Sequence, residues 1–260
     1  MKKYIVAELK RIFKPRSIWI FISIIALLCI INIYFTNKVI DEDITYNGKA
    51  DKYSFLISPP ISINALALLF LSGGFILGCF AVWNMHQEYS TKCIYIRWSM
   101  GNMRSVLLSK FLSGILLIVL SVFIVILMGG IADIFWILSH SFSRVKFSVI
   151  LYLKKISVII LYLSRSYVLG IMCGYLFTKL PYAILVFIGF TLLERQYLPY
   201  SHVLLTNIFY DIKGGMLTPV LDLFPPCEVK ASVMGLIIEV LAGGILLNYL
   251  PYWKSVNVKE

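Results

Sequence analysis

The sequence predicts an all-α membrane protein with several transmembrane helices, and its composition and its apolar stretches both carry that prediction. Of its 260 residues, 60% are hydrophobic and only 14% are charged, and the mean hydropathy is +0.86. Soluble domains contain a larger fraction of charged residues and a smaller fraction of apolar residues. A helix needs about 20 apolar residues to cross the hydrocarbon core of a bilayer. We therefore expect one transmembrane domain over residues 1–260, with about six spans.

The six predicted spans follow from the apolar stretches in chain order. They are Ser17–Phe35, Ile61–Trp83, Phe111–Ile131, Ile156–Phe177, Pro181–Leu193 and Val233–Leu250. The first stretch is longer than the core of a signal peptide and is followed by no small-residue cleavage site, so we interpret it as a span. A break or a further span near Ile131–Leu138 is the alternative that would change this count.

The orientation of the spans follows from the distribution of Lys and Arg. With the N-terminus inside, the inner segments hold thirteen basic residues against three acids, and the outer segments hold ten against nine. This excess of basic residues on one side predicts that both termini are cytoplasmic, in a multi-pass protein of the cytoplasmic membrane. It also accounts for the net charge of +11, so we expect membrane lipids and no nucleic acid as partners.

Two segments outside the spans are expected to touch the membrane. In residues 1–16, the apolar residues recur at helical spacing among Lys and Arg, which is typical of an interfacial helix on the inner surface. A plain basic tail is the alternative. Residues 194–231, before the last span, alternate apolar and polar runs and are predicted to hold short re-entrant helices in an outer loop.

A charged island separates the second and third spans, and we call residues 84–110 the inner loop. Its stretch His86–Lys110 reads HQEYSTKCIYIRWSMGNMRSVLLSK. The mixture of apolar and charged side chains suits a short helix that packs against another protein. Gly101 suits a helix stop and Asn102 the cap of the next helix, which we expect to begin at Met103. An ordinary basic inner loop is the alternative.

The runs E-Y-S-T-K and R-W-S-M-G-N-M-R-S-V-L-L-S-K resemble the inner loop of type-2 ABC transporter permeases, above all the small permeases of peptide, bacteriocin and antibiotic exporters. In that family a Glu closes the second span and a Gly-Thr follows. A small-residue turn then leads to an Arg and, six residues on, to a Lys that opens the third span. Ser90 stands where the family usually has Gly. The matching residues are Glu88, Thr91, Gly101, Arg104, Ser109 and Lys110.

The resemblance implies a permease subunit that pairs with a second permease, either a copy or a paralogue, and with two ATPase subunits. Residues His86–Arg97 would be the coupling helix that docks into a cleft of the ATPase. The cargo would be a peptide, an antibiotic or a lipid-like compound, and the partner ATPase would bind ATP and Mg²⁺. The ATPase-coupling residues would be Glu88, Thr91, Lys92, Arg97, Gly101, Arg104 and Lys110.

Two further expectations follow from this interpretation. The chain has no GxxxxGK[ST] phosphate loop, so we expect that it does not hydrolyse ATP itself and carries no cofactor or metal. Charge reversal at Glu88 or Arg97 is expected to leave insertion intact and to uncouple ATP hydrolysis in the partner from transport.

Two opposite charges fall inside predicted spans. Arg165 lies near the middle of the fourth span and Glu239 lies in the last one. An intramembrane charge is costly and is a functional candidate by default. We expect the two side chains to face the protein interior, where they either form a structural pair or meet a polar substrate on its path.

Other classes of protein have less support in the sequence. A membrane-embedded protease needs paired glutamates and histidines on spans, whereas His86, His140 and His202 are predicted to lie in loops. A stand-alone immunity protein or channel, without an ATPase, is the main alternative. The five cysteines show no disulfide or zinc spacing. Two GxxxG matches, Gly74–Gly78 and Gly170–Gly174, allow close helix contact and are weak indicators of a dimer face.

Overall fold

The computed structural model describes residues 6–10, 19–31, 33–34, 38, 60–91, 103–139, 149–197 and 229–257. Apart from Thr91 and residues 177–179, every described residue is helical, which confirms the predicted all-α class. The main helices are α1 (Trp19–Ile31), α2 (Pro60–Ser90), α3 (Met103–Ser139), α4 (Val149–Leu176), α5 (Leu180–Tyr197) and α6 (Val229–Asn257). Residues 6–10, the N-terminal segment, are also helical.

Among the described residues, two helical stretches are long and apolar enough to cross a membrane. They are Arg104–Phe135 in α3, with a mean hydropathy of 3.1, and Ile156–Leu176 in α4, with a mean hydropathy of 1.8. Shorter apolar helices cover Trp19–Ile31, Leu180–Leu192 and Ile237–Pro251. Each of the six predicted spans thus overlaps a helix, and the re-entrant helices predicted within 194–231 lie largely outside the described residues.

Helix α3 runs without interruption from Met103 to Ser139, so the alternative of a break near Ile131–Leu138 is not observed. Its 37 residues span about 55 Å at about 1.5 Å per residue. That length exceeds the roughly 30 Å of a hydrocarbon core, so α3 extends well beyond one apolar layer. Helix α2 likewise continues to Ser90, so His86 is helical and the prediction that it lies in a loop is wrong.

The core of the bundle is the contact between α2 and α4, which run parallel. A Cβ atom added at Gly170 would lie 2.3 Å from the carbonyl oxygen of Gly78, and one at Gly174 would lie 2.8 Å from the Cβ of Met85. Near the ends of both helices, the Tyr89 hydroxyl donates a hydrogen bond to the carbonyl of Tyr175. The absence of side chains at these glycines lets the two backbones approach closely.

The two GxxxG matches therefore meet neighbours in the same chain. Gly74 faces Ser166 and Tyr162 of α4, and Gly78 faces the ring of Phe187 in α5. The small size of the glycines in both motifs allows α2, α4 and α5 to pack closely together. This observation replaces the interpretation of the motifs as a dimer face with an intramolecular one.

The remaining helices surround this pair and expose apolar side chains. Helix α1 packs on α2, with the Phe21 and Phe80 rings 5.5 Å apart, and a turn at residues 177–179 joins α4 to α5. One side of α3 and one side of α6 are lined by exposed large apolar residues at helical spacing. On α3 these include Leu112, Leu116, Val119, Phe123, Leu127, Ile131, Ile134 and Leu138, and on α6 Met234, Ile238, Leu241, Ile245 and Tyr249.

Substitution of Gly170 by alanine is expected to destabilise the bundle, because the new methyl group would collide with backbone that cannot rotate away. Overpacking of this kind costs about 1–3 kcal/mol. Thermal unfolding of the purified protein in detergent measures the effect as a lower midpoint. Gly130→Ala is the matched control, since a Cβ there meets nothing within 4 Å. Equal midpoints for the two variants would contradict the close packing of α2 and α4.

Candidate functional site

A buried ion cluster lies where the end of α2 meets the start of α3. The Lys110 ammonium is 3.2 Å from Oε2 of Glu8 and 3.3 Å from Oε1 of Glu88. It also lies 3.5 Å from the side-chain oxygen of Asn84. All four side chains are buried, with exposures of 3% or less. We call Glu8, Asn84, Glu88 and Lys110 the ion cluster.

Helix geometry explains how α2 supplies two members of this cluster. Asn84 and Glu88 are four residues apart, so they lie on the same face of α2. Met85, on the adjoining face, packs against Gly174 of α4 and fixes the rotation of α2. Helix α3 runs in the opposite direction, so that Lys110 near its start reaches the end of α2. The first and last family-matching residues of the inner loop are thus in direct contact.

The N-terminal segment is the third part of the chain, after α2 and α3, that contributes to the ion cluster. Within it, Glu8 is buried, whereas Val6 and Lys10 on the opposite side are exposed. The predicted interfacial helix would have turned its apolar residues to lipid, and nothing in that pattern indicated an inward carboxylate. A signal is nevertheless present in the sequence, because Glu8 is the only acidic residue among the first 37.

Burial makes the members of the cluster strongly dependent on each other. Moving a charge out of water costs several kcal/mol, and a buried partner offsets that cost only while the contact is kept. Glu88 and Lys110 therefore brace the base of the inner loop from inside the protein. Neither side chain is exposed to a partner. Charge reversal at Glu88 was expected to leave insertion intact, but a cation at that position would face Lys110 and disrupt the fold.

The other expected coupling residues lie at or between the helix ends. The backbone N–H of Thr91 donates to the carbonyl of Gln87 at 3.1 Å, and its hydroxyl donates to the same oxygen at 2.7 Å, which caps the end of α2. Arg104, in the first turn of α3, is exposed. Met103, the predicted first residue of this helix, is helical. Lys92, Arg97 and Gly101 lie outside the described residues.

The two intramembrane charges predicted from the sequence form an ion pair. Nε of Arg165 contacts Oε2 of Glu239, which joins the middle of α4 to α6. The Arg165 side chain is 7% exposed and that of Glu239 is 30% exposed. Ser164 and Ser166 beside the arginine are buried as well. The pair therefore sits in a polar layer of an otherwise apolar bundle, with its carboxylate on the more open side.

The depth of this pair follows from the helix rise. Arg165 precedes Tyr175, at the ion-cluster end of α4, by ten residues. That separation corresponds to about 15 Å along the helix axis. A hydrocarbon core is about 30 Å thick, so the pair would lie near its middle if α4 crosses a membrane.

The described residues contain no group of three or more His, Cys, Asp or Glu side chains that could hold a metal ion. Of the three histidines in the sequence, His86 is the one that lies among the described residues. Comparisons with protein-family models, with curated proteins and with solved structures give no match.

Replacing Lys110 by methionine should destabilise the protein strongly, because it leaves two buried carboxylates without the cation they share. Loss of one partner from a buried ion pair costs about 3–5 kcal/mol. Adding Glu8→Gln and Glu88→Gln to this variant removes the stranded charges and should recover most of the lost stability. The thermal midpoint in detergent is the measurement, and a triple variant no more stable than Lys110→Met would contradict a charge-based role.

The Arg165–Glu239 pair should show a favourable coupling energy in a double-mutant cycle. Arg165→Met and Glu239→Gln each strand one charge, whereas the double variant strands none. Contacting residues typically couple by about 0.5–3 kcal/mol. Additive losses in the free energy of unfolding, measured by denaturant titration in mixed micelles, would exclude a stabilising pair.

Proposed function

We propose that this chain is the membrane-spanning permease subunit of an ATP-driven exporter of the type-2 ABC class. Its cargo in this proposal is a peptide, an antibiotic or a lipid-like compound that leaves across the cytoplasmic membrane. The observation that carries the proposal is the ion cluster. Glu88 and Lys110, which bracket the family-like inner loop, are held together at one end of the bundle.

The exposed apolar surface supports the membrane part of the proposal. Between Leu112 and Leu138, the exposed side chains described on α3 are all large and apolar and recur at successive turns. Patches of this size are rare on soluble proteins and mark contact with lipid or another protein. We infer six spans, α1 to α6, with both termini in the cytoplasm.

The direction of the helices supports a common cytoplasmic side. The end of α2, the start of α3 and the N-terminal segment meet in the ion cluster. The Tyr89–Tyr175 hydrogen bond brings the end of α4 to the same side, and with it the exposed Lys179 in the turn before α5. Basic residues are favoured on cytoplasmic flanks. An ATPase docked at this end would act on α2 and α3 through the connection between them, residues 91–102.

The energy for transport would come from the partner, since the sequence has no GxxxxGK[ST] loop. In this proposal, closure of the ATPase pulls on residues 91–102, and the ion cluster transmits the pull to the bundle. The Arg165–Glu239 pair lies on α4, which packs along α2, so a shift of α2 would reach it. There it either holds α4 to α6 or meets the polar part of the cargo.

Gentle extraction of the C-terminally tagged protein from native membranes should recover a soluble chain with a GxxxxGK[ST] loop. Arg97→Glu should abolish that recovery, because it reverses the charge of a residue that is expected to contact the ATPase. Lys179→Glu is the matched control, because it reverses an exposed charge at the same end of the bundle. Glu88 is unsuitable, since its reversal would disturb the fold.

Recovery of the protein alone would count against the exporter, provided the conditions preserve a known transporter complex. The stand-alone immunity protein or channel would then be the better interpretation. Recovery of the same ATPase with Arg97→Glu as with the unaltered chain would instead move the docking site away from residues 91–102.

A further inference from the structure

We propose that Glu8 is a positioning residue for ATPase coupling: its carboxylate locks the N-terminal segment onto the base of the inner loop, so that both move as one body. This inference rests on the proposed function for the coupling part only. The attachment itself follows from the 3.2 Å contact between Glu8 and Lys110 and can be tested separately.

The burial pattern of the N-terminal segment is the first observation that supports this role. A helix that only floats on a membrane buries apolar residues and leaves its charges in water. Here Val6, Ala7 and Lys10 are exposed, while the side chain of Glu8 is only 3% exposed. The segment is therefore held to the protein by its acid.

The choice of partner is the second observation. Glu8 shares the Lys110 ammonium with Glu88, and Lys110 also contacts Asn84, so one cation joins three separate parts of the chain. Separating such a contact strands a buried charge, which carries a large free-energy cost. Displacement of the α2 end or the α3 start by the partner must then either carry the N-terminal segment along or separate it from the cluster.

A consequence for the transport cycle follows. The N-terminal segment precedes α1, which packs on α2 through Phe21 and Phe80. A force applied at residues 91–102 would thus reach the bundle at two places, directly through α2 and α3 and indirectly through Glu8 toward α1. Glu8 would thus pass the movement driven by the ATPase on to α1, a helix that is not adjacent to the inner loop in sequence.

Spin labels at two exposed positions test this role in the purified complex with its ATPase. The labels are placed at Ala7→Cys in the N-terminal segment and at Ser90→Cys at the end of α2, after the five native cysteines are replaced by alanine or serine. ATP and Mg²⁺, trapped with orthovanadate, provide the stimulus. With Glu8 intact, both labels should change mobility on trapping.

In Glu8→Gln, the resting mobility at Ala7 should rise, and most of the ATP-dependent change there should be lost. The change at Ser90 should persist. Lys10→Gln is the matched control, because it alters an exposed charge in the same segment and should change neither label.

Three results would overturn the inference. An unchanged resting mobility at Ala7 in Glu8→Gln would mean that Glu8 does not hold the segment. A full ATP response at Ala7 in that variant would mean that Glu8 does not transmit the movement. If no ATPase joins the complex, the coupling role falls with the proposed function, while the resting mobility still decides the attachment.

Discussion

The close contact between α2 and α4 is the constraint on which the rest of the structure depends. With no side chain at Gly170, the α4 backbone approaches the carbonyl of Gly78, and the register of the two helices is fixed over several turns. That register sets the rotation of α2 and so directs Asn84 and Glu88 toward α3. It also sets the level of Arg165 on α4, opposite α6. Both polar centres of the bundle are therefore placed by one apolar, glycine-based contact.

The two polar centres solve the same physical problem at different depths. A charge in an apolar bundle needs a partner, because desolvation costs more than an isolated contact returns. At mid-bundle, Arg165 and Glu239 join α4 to α6. At one end, Lys110 joins three parts of the chain. Buried hydroxyls, such as that of Ser113, donate to the carbonyl one turn earlier in their own helix and need no partner elsewhere.

Much of this fold could be predicted from the sequence, because length and hydropathy are local properties. The helical class of the described residues is confirmed, Met103 is helical as predicted, and Arg165 and Glu239, for which an ion pair was one of two expectations, are in contact. The extension of α2 to Ser90 was missed, since its polar last turns resemble a loop until tertiary contacts bury them. The role of Glu8 was missed because it depends on a contact 102 residues away in sequence. The intramolecular use of the GxxxG motifs likewise depends on which helices become neighbours.

We propose that the ion cluster lies at the cytoplasmic end of the bundle, where an ATP-driven partner can act. Single cysteines at Lys10 and Lys179, both exposed, test it most directly in a chain without its native cysteines, with detergent-solubilised membranes as the control for reactivity. A membrane-impermeant thiol reagent should label both sites in everted vesicles and in solubilised membranes, and neither site in intact cells. Labelling of position 10 or 179 in intact cells would place the cluster on the outer side and contradict the account.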